Sequence, residues 1–109
     1  MELNEYQKQA LVSALYPNLG ENPIYPTLGL VGEAGEVAEK VKKVLRDKGG
    51  DFDQLSKEEL KKEMGDVLWY LSQLSFELGF NLDEVAKANL SKLSSRLKRN
   101  KISGEGDNR

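Results

Sequence analysis

The stretch Glu63-Met-Gly-Asp-Val-Leu-Trp-Tyr-Leu-Ser-Gln-Leu-Ser-Phe-Glu-Leu78 decides how this chain is read. Val67, Leu68, Leu71 and Leu74 recur at helical spacing, and Glu63, Asp66, Tyr70 and Gln73 run beside them at steps of three and four. Two carboxylates therefore border an apolar helical face, a place where solvated acids are seldom found. Ser56 followed by Glu59 is a capping-box pattern, which starts this helix just ahead of the run from Glu58 to Leu78, and Gly79 ends it.

An earlier stretch repeats the arrangement. Within Gly29 to Val44, Glu33 and Glu36 lead a stripe continued by Lys40 and Lys43, while Val37, Val41, Val44 and Leu45 supply a core face. This helix is expected from Thr27 to Arg46, stopped by Gly49 and Gly50. Gly29, Gly32 and Gly35 are also three apart; each costs roughly 1 kcal/mol against alanine in a helix, so a close approach by another backbone or a ligand is expected there. Two such helices packed side by side gather four carboxylates. Unit charges at about 4 Å repel by roughly 4 kcal/mol at an effective dielectric near 20, a cost that a divalent cation offsets. The alternative, in a chain with 18 acids, is that both pairs merely solubilise helix surfaces.

Elsewhere the pattern continues as helix. Leu3 to Leu15 reads as a first helix, with Asn4 as N-cap and Leu3, Ala10, Leu11, Ala14 and Leu15 as its apolar stripe. Tyr16 to Pro26 holds all three prolines and reads as an irregular loop. Asn81 with Glu84 starts a fourth helix, whose buried stripe is expected to be Leu82, Ala86, Leu90, Leu93 and Leu97. From Asn100 a tail with two glycines and mixed charges is expected to be mobile unless a ligand or neighbour orders it. There is no repeat or linker, so residues 1–100 read as one all-α helical domain and 101–109 as a glycine-rich C-terminal tail.

Composition narrows the chemistry. The chain has no cysteine and no histidine, which removes disulfides, thiol catalysis, Ser/His/Asp triads, the usual zinc sites and the Glu-x-x-His motif of di-iron bundles. Any metal must be held by oxygen, which favours magnesium or manganese. A net charge of −2 gives no electrostatic reason to expect a nucleic-acid polymer or an anionic membrane as partner. No stretch approaches membrane-spanning length and the amino terminus lacks a signal-like apolar core, so a cytoplasmic location is expected.

The block from Gly29 to Leu74, with Gly-Glu-Ala-Gly-Glu at 32–36 and Glu-Met-Gly-Asp-Val-Leu-Trp-Tyr-Leu at 63–71, resembles the MazG-like nucleotide pyrophosphohydrolases. The resemblance implies an all-α bundle of four to five helices, completed by oligomerisation into homodimers or homotetramers that share each active site. It implies that Glu33, Glu36, Glu63 and Asp66 are the catalytic residues and ligands of magnesium, or of manganese. The reaction it implies is metal-assisted attack of water on a nucleoside triphosphate, giving monophosphate and pyrophosphate for nucleotide-pool housekeeping, with Glu33 as the general base.

By the same resemblance Lys92 and Arg96 bind phosphate oxygens, Asn89 takes a sugar or phosphate contact, and Lys40 and Tyr70 lie near the substrate. On the residues alone, Lys92 and Arg96 equally suit the C-terminal end of a helix dipole, and Lys40 equally suits a surface ion pair. Trp69 is either a base-stacking aromatic or part of a core or subunit interface. The tail from Ile102 to Arg109 looks like that of phage-type and short bacterial members, where Arg109 or Lys101 would close over phosphates. Two other substrates fit the same fold, phosphoribosyl-ATP or a single nucleotide such as dUTP or dCTP. A non-catalytic helical interaction module is the alternative from a different class.

Overall fold

In a computed structural model of residues 1–109 the chain forms four α-helices and no strand. They are α1 (Leu3–Val12), α2 (Ile24–Asp47), α3 (Lys57–Glu77) and α4 (Leu82–Lys98), with one 3-10 turn at Phe52–Gln54 between α2 and α3. No helix is long and apolar enough to cross a membrane.

The helix boundaries follow from caps. α2 begins at Ile24, earlier than the expected Thr27, because Pro23 and Pro26 fall at its N-cap and in its first turn, where no backbone N–H is needed. The Asn22 side chain accepts the Tyr25 N–H there. α1 stops at Val12 rather than Leu15, and its N-cap is Glu2 rather than Asn4. Asn4 instead serves the start of α4: its side-chain oxygen accepts the Asp83 N–H, while Gln7 accepts that of Leu82 and Asn81 that of Glu84. Three donors at the α4 start are thus satisfied, two of them by side chains of α1. α3 and α4 end alike, with Gly79 and Asn100 in the left-handed region (φ 81° and 59°) and bonds of Phe80 N–H to Ser75 and Lys101 N–H to Arg96.

α2 and α3 make the most extensive helix contact. Gly29 lies against Tyr70 and Lys40 against Glu63, a register that runs the two helices antiparallel. α1 packs on α3, where the Trp69 indole N–H donates to Ser13 Oγ at 2.9 Å, and also on α4. The interior is thin: 10 of 109 residues are buried, and the apolar ones among them are Ala10, Ala14, Tyr16, Pro26, Val44 and Leu82. A radius of gyration of 16.9 Å exceeds the roughly 13 Å of a compact chain of this size.

The expected stripe of α4 is therefore corrected. Leu82 is buried, but Leu90, Leu93 and Leu97 are 65%, 39% and 71% exposed. α4 leans on α1 and only lightly on α3, so nothing in the chain covers its outer turns. Leu45, expected in the core face of α2, is likewise exposed, as are Met64 and Leu68 on α3.

The segment between α1 and α2 is held by one carboxylate. Glu77 accepts the Tyr16 hydroxyl at 2.5 Å and the N–H groups of Gly20 and Asn22 at 3.0 and 3.2 Å. The Tyr16 ring in turn stacks on Tyr25 at 4.8 Å. Burial works to raise the Glu77 pKa, but the Tyr16 hydroxyl and the two backbone donors outweigh it, and the net shift is downward. A lowered folded-state pKa contributes stability that is present above the unfolded value and lost as pH falls through the folded one. Unfolding midpoints are therefore expected to drop on acidification below about pH 4.5, the ordinary glutamate value, and Glu77→Gln is expected to lower the neutral-pH midpoint while flattening that acid limb. Thermal melts from pH 3 to 7 measure both; an unchanged acid limb in the variant defeats the assignment.

Candidate active site

α2 and α3 bring together three of the four expected acids. One carboxylate oxygen from each of Glu33, Glu63 and Asp66 lies within 4.8 Å of the others, with Glu33 and Glu63 half-buried and Asp66 exposed. Burial raises the Glu33 pKa first, and the charges of Asp66, Glu63 and Glu36 raise it further. Glu36, one turn along α2, is exposed and outside the close triplet, yet near enough for its charge to be felt at Glu33. Lys40 sits at the edge, its Nζ 3.6 Å from a Glu63 oxygen. The result is a convergent set of oxygen donors with excess negative charge, which is the chemistry that a hard divalent cation requires.

An aromatic wall stands beside the acids. Tyr70, one turn after Asp66, is packed so tightly on α2 that a Cβ added at Gly29 would lie 2.1 Å from the ring. Gly32 and Gly35 meet nothing within 4 Å, so of the three spaced glycines only Gly29 is required by a contact in this chain. The Tyr70 ring meets Trp69 edge-on at 5.0 Å and Tyr25 at 6.3 Å. Burial is the main cause of its raised pKa, followed by Tyr25 and by the charges of Glu33 and Asp66. Tyr6 of α1 is also raised, by burial and then by Asp66. Tyr6 and Tyr25 had no motif to mark them; Tyr25 lies in a stretch whose prolines suggested a loop.

The remaining expected residues lie apart. Asn89 and Lys92 line a groove of about 560 Å³ on α4, together with Phe80, Glu84, Val85 and Ala88. Lys92 and the buried Arg96 both engage Asp107, at 2.8 and 3.0 Å. α4 makes no extended contact with α2, so one chain does not join this cationic stripe to the acids. Lys40 and Lys43 open onto a second cleft of about 470 Å³, where Lys48 adds a third cation. Trp69 has its N–H committed to Ser13, which makes it a tie between α1 and α3.

The fold is thus all-helical and sets Glu33 of α2 against Glu63 and Asp66 of α3 across an antiparallel pair. The chain belongs to the MazG nucleotide pyrophosphohydrolase family, whose domain matches residues 24–100. It is similar to the Gene 37 protein of Mycobacterium phage L5, with 48% identity over 114 aligned residues that span the whole of both chains. No solved structure matches it.

Gly29→Ala provides a test of the wall. The added methyl overlaps the Tyr70 ring, which Trp69 and Tyr25 flank, so about 1–3 kcal/mol of destabilisation is expected, whereas Gly32→Ala is expected to stabilise the isolated chain by up to about 1 kcal/mol. Denaturant titration of the two variants gives the comparison, and equal effects would refute the contact.

Proposed function

We propose that the protein is a magnesium-dependent nucleoside triphosphate pyrophosphohydrolase, releasing nucleoside monophosphate and pyrophosphate. The carrying observation is the convergence of Glu33, Glu63 and Asp66 in a chain without histidine or cysteine. These three carboxylates would hold the cation, with Glu36 as a fourth ligand after a change of side-chain rotamer. The bound cation supplies charge neutralisation for the triphosphate and acidifies water. The chain's own groups do the rest. Glu33 takes the proton of the attacking water, and Lys40 moves between Glu63 and a phosphate oxygen. Tyr70 and Tyr25 offer aromatic faces beside the acids for a nucleobase.

The phosphate ligands Asn89, Lys92 and Arg96 belong to a second copy in this reading. The exposed leucines of α4 and the uncovered Met64 and Leu68 of α3 are the surfaces a homodimer, or a dimer of dimers, would bury. A bare monomer at assay concentration with full turnover would count against it; Leu93→Glu is expected to give monomers and to depress turnover with them.

Products separate the candidate reactions. Incubation with a panel of nucleoside triphosphates and magnesium is expected to yield monophosphate and pyrophosphate; diphosphate and phosphate, or no turnover anywhere in the panel, rejects the proposal. Asp66→Asn is expected to lower turnover at least about 100-fold, while the metal-free variant melts at or above the parent temperature because a repulsive charge has gone. A marked loss of metal-free stability would instead assign Asp66 a structural task.

A further inference from the structure

The segment after α4 is not free. It returns along the helix and places the Asp107 carboxylate on Lys92 Nζ at 2.8 Å and on Arg96 Nη2 at 3.0 Å, and Arg96 Nη2 also donates to the Asp107 carbonyl oxygen. Arg109 closes the turn from inside, donating to the carbonyl oxygens of Lys101, Ile102 and Gly106, and Arg99 donates to the Arg109 carbonyl. Gly104 and Gly106 take φ values of 122° and 83°, a region that side chains rarely enter. The turn is therefore specified by its sequence.

Resting on the reading of Lys92 and Arg96 as phosphate ligands, we propose that Asp107 is a built-in stand-in for phosphate. Its carboxylate holds the two cations in the unliganded chain, and an incoming phosphate group takes its place, releasing segment 101–109.

Three observations support displacement over permanent attachment. The segment is fastened mainly by polar contacts: residues 101–108 are all exposed, Ile102 at 47%, so little apolar burial opposes its departure. The Asp107 side chain is 79% exposed while that of Arg96 is 6% exposed, so the anion is the open partner and the cation the fixed one. Arg96 Nε is buried without a partner, so the guanidinium has donor capacity that one carboxylate does not use. A phosphate, with more oxygens and more charge than a carboxylate, satisfies more of the fork. The Asp107 pKa is lowered by its bonds to Lys92 and Arg96, so the stand-in is anionic at neutral pH.

The test uses inorganic pyrophosphate without metal as the probe, titrated calorimetrically into the full chain. A competitor that occupies the site reduces apparent affinity by the fraction of open protein, so Asp107→Asn is expected to tighten binding about three- to tenfold. Gly106→Ala leaves every charge in place but strains the turn, and is expected to tighten binding in the same sense, which guards against an effect of charge alone. The Gly104 and Gly106 amide resonances of the parent are expected to shift toward random-coil values as pyrophosphate is added. Weaker or unchanged binding in both variants overturns the proposal and makes Asp107 a group that positions the two cations. Pyrophosphate that fails to bind the parent or either variant overturns it too, even if triphosphates turn over. Binding with segment release but no turnover leaves the proposal standing and rejects the catalytic reading.

Discussion

The antiparallel contact between α2 and α3 is the constraint on which the acid cluster of this chain depends, because that contact forces like charges together. Glu33 cannot reach Glu63 and Asp66 unless the helices approach closely. The approach is set by a glycine facing a tyrosine ring, where any side chain at Gly29 would collide with Tyr70. The repulsion is then a cost of fold, partly relieved by Lys40 and left otherwise unanswered by any group of the chain. Stability has been given up at one place, and a site is the usual return.

The rest of the molecule is arranged around that pair with little interior of its own. α1 ties α3 through Ser13 and Trp69 and supplies side chains that cap α4, so a short helix joins two longer ones by hydrogen bonds more than by buried area. Glu77 does the same for the segment leading into α2. Such an architecture leaves apolar faces on three helices uncovered, which a chain of this length, short of core, can cover only against another surface.

Much of this was legible in the sequence, and the limits have physical causes. The existence and order of four helices, the N-caps at Ser56 and Asn81 and the stop at Gly79 follow from local rules, and the structure has them. The acid stripes pointed to a cluster because spacing of three fixes a helical face regardless of what packs there. Burial was harder to read. Leu90, Leu93 and Leu97 have the spacing of a core stripe, but periodicity reports which side is apolar and not whether the same chain covers it. Asn4 suited an N-cap by type, and only tertiary structure shows that it caps a different helix. The Asp107 contact had no local signal: it joins residues from a helix and from a segment whose composition suggested mobility.

The geometry of the helix pair also says what is free to vary. From Glu33 to the end of α2 is roughly 21 Å of helix, and from the start of α3 to Glu63 only roughly 9 Å, so the chain must travel back between them. Residues 48–56, including the 3-10 turn, cover that difference and carry none of the three clustered acids. The cluster is thus indexed by the facing of two helices and not by the number of residues between its motifs. Lengthening or shortening this connection leaves the same three carboxylates facing one another, which makes it a tolerant point for insertion within an otherwise exacting pair.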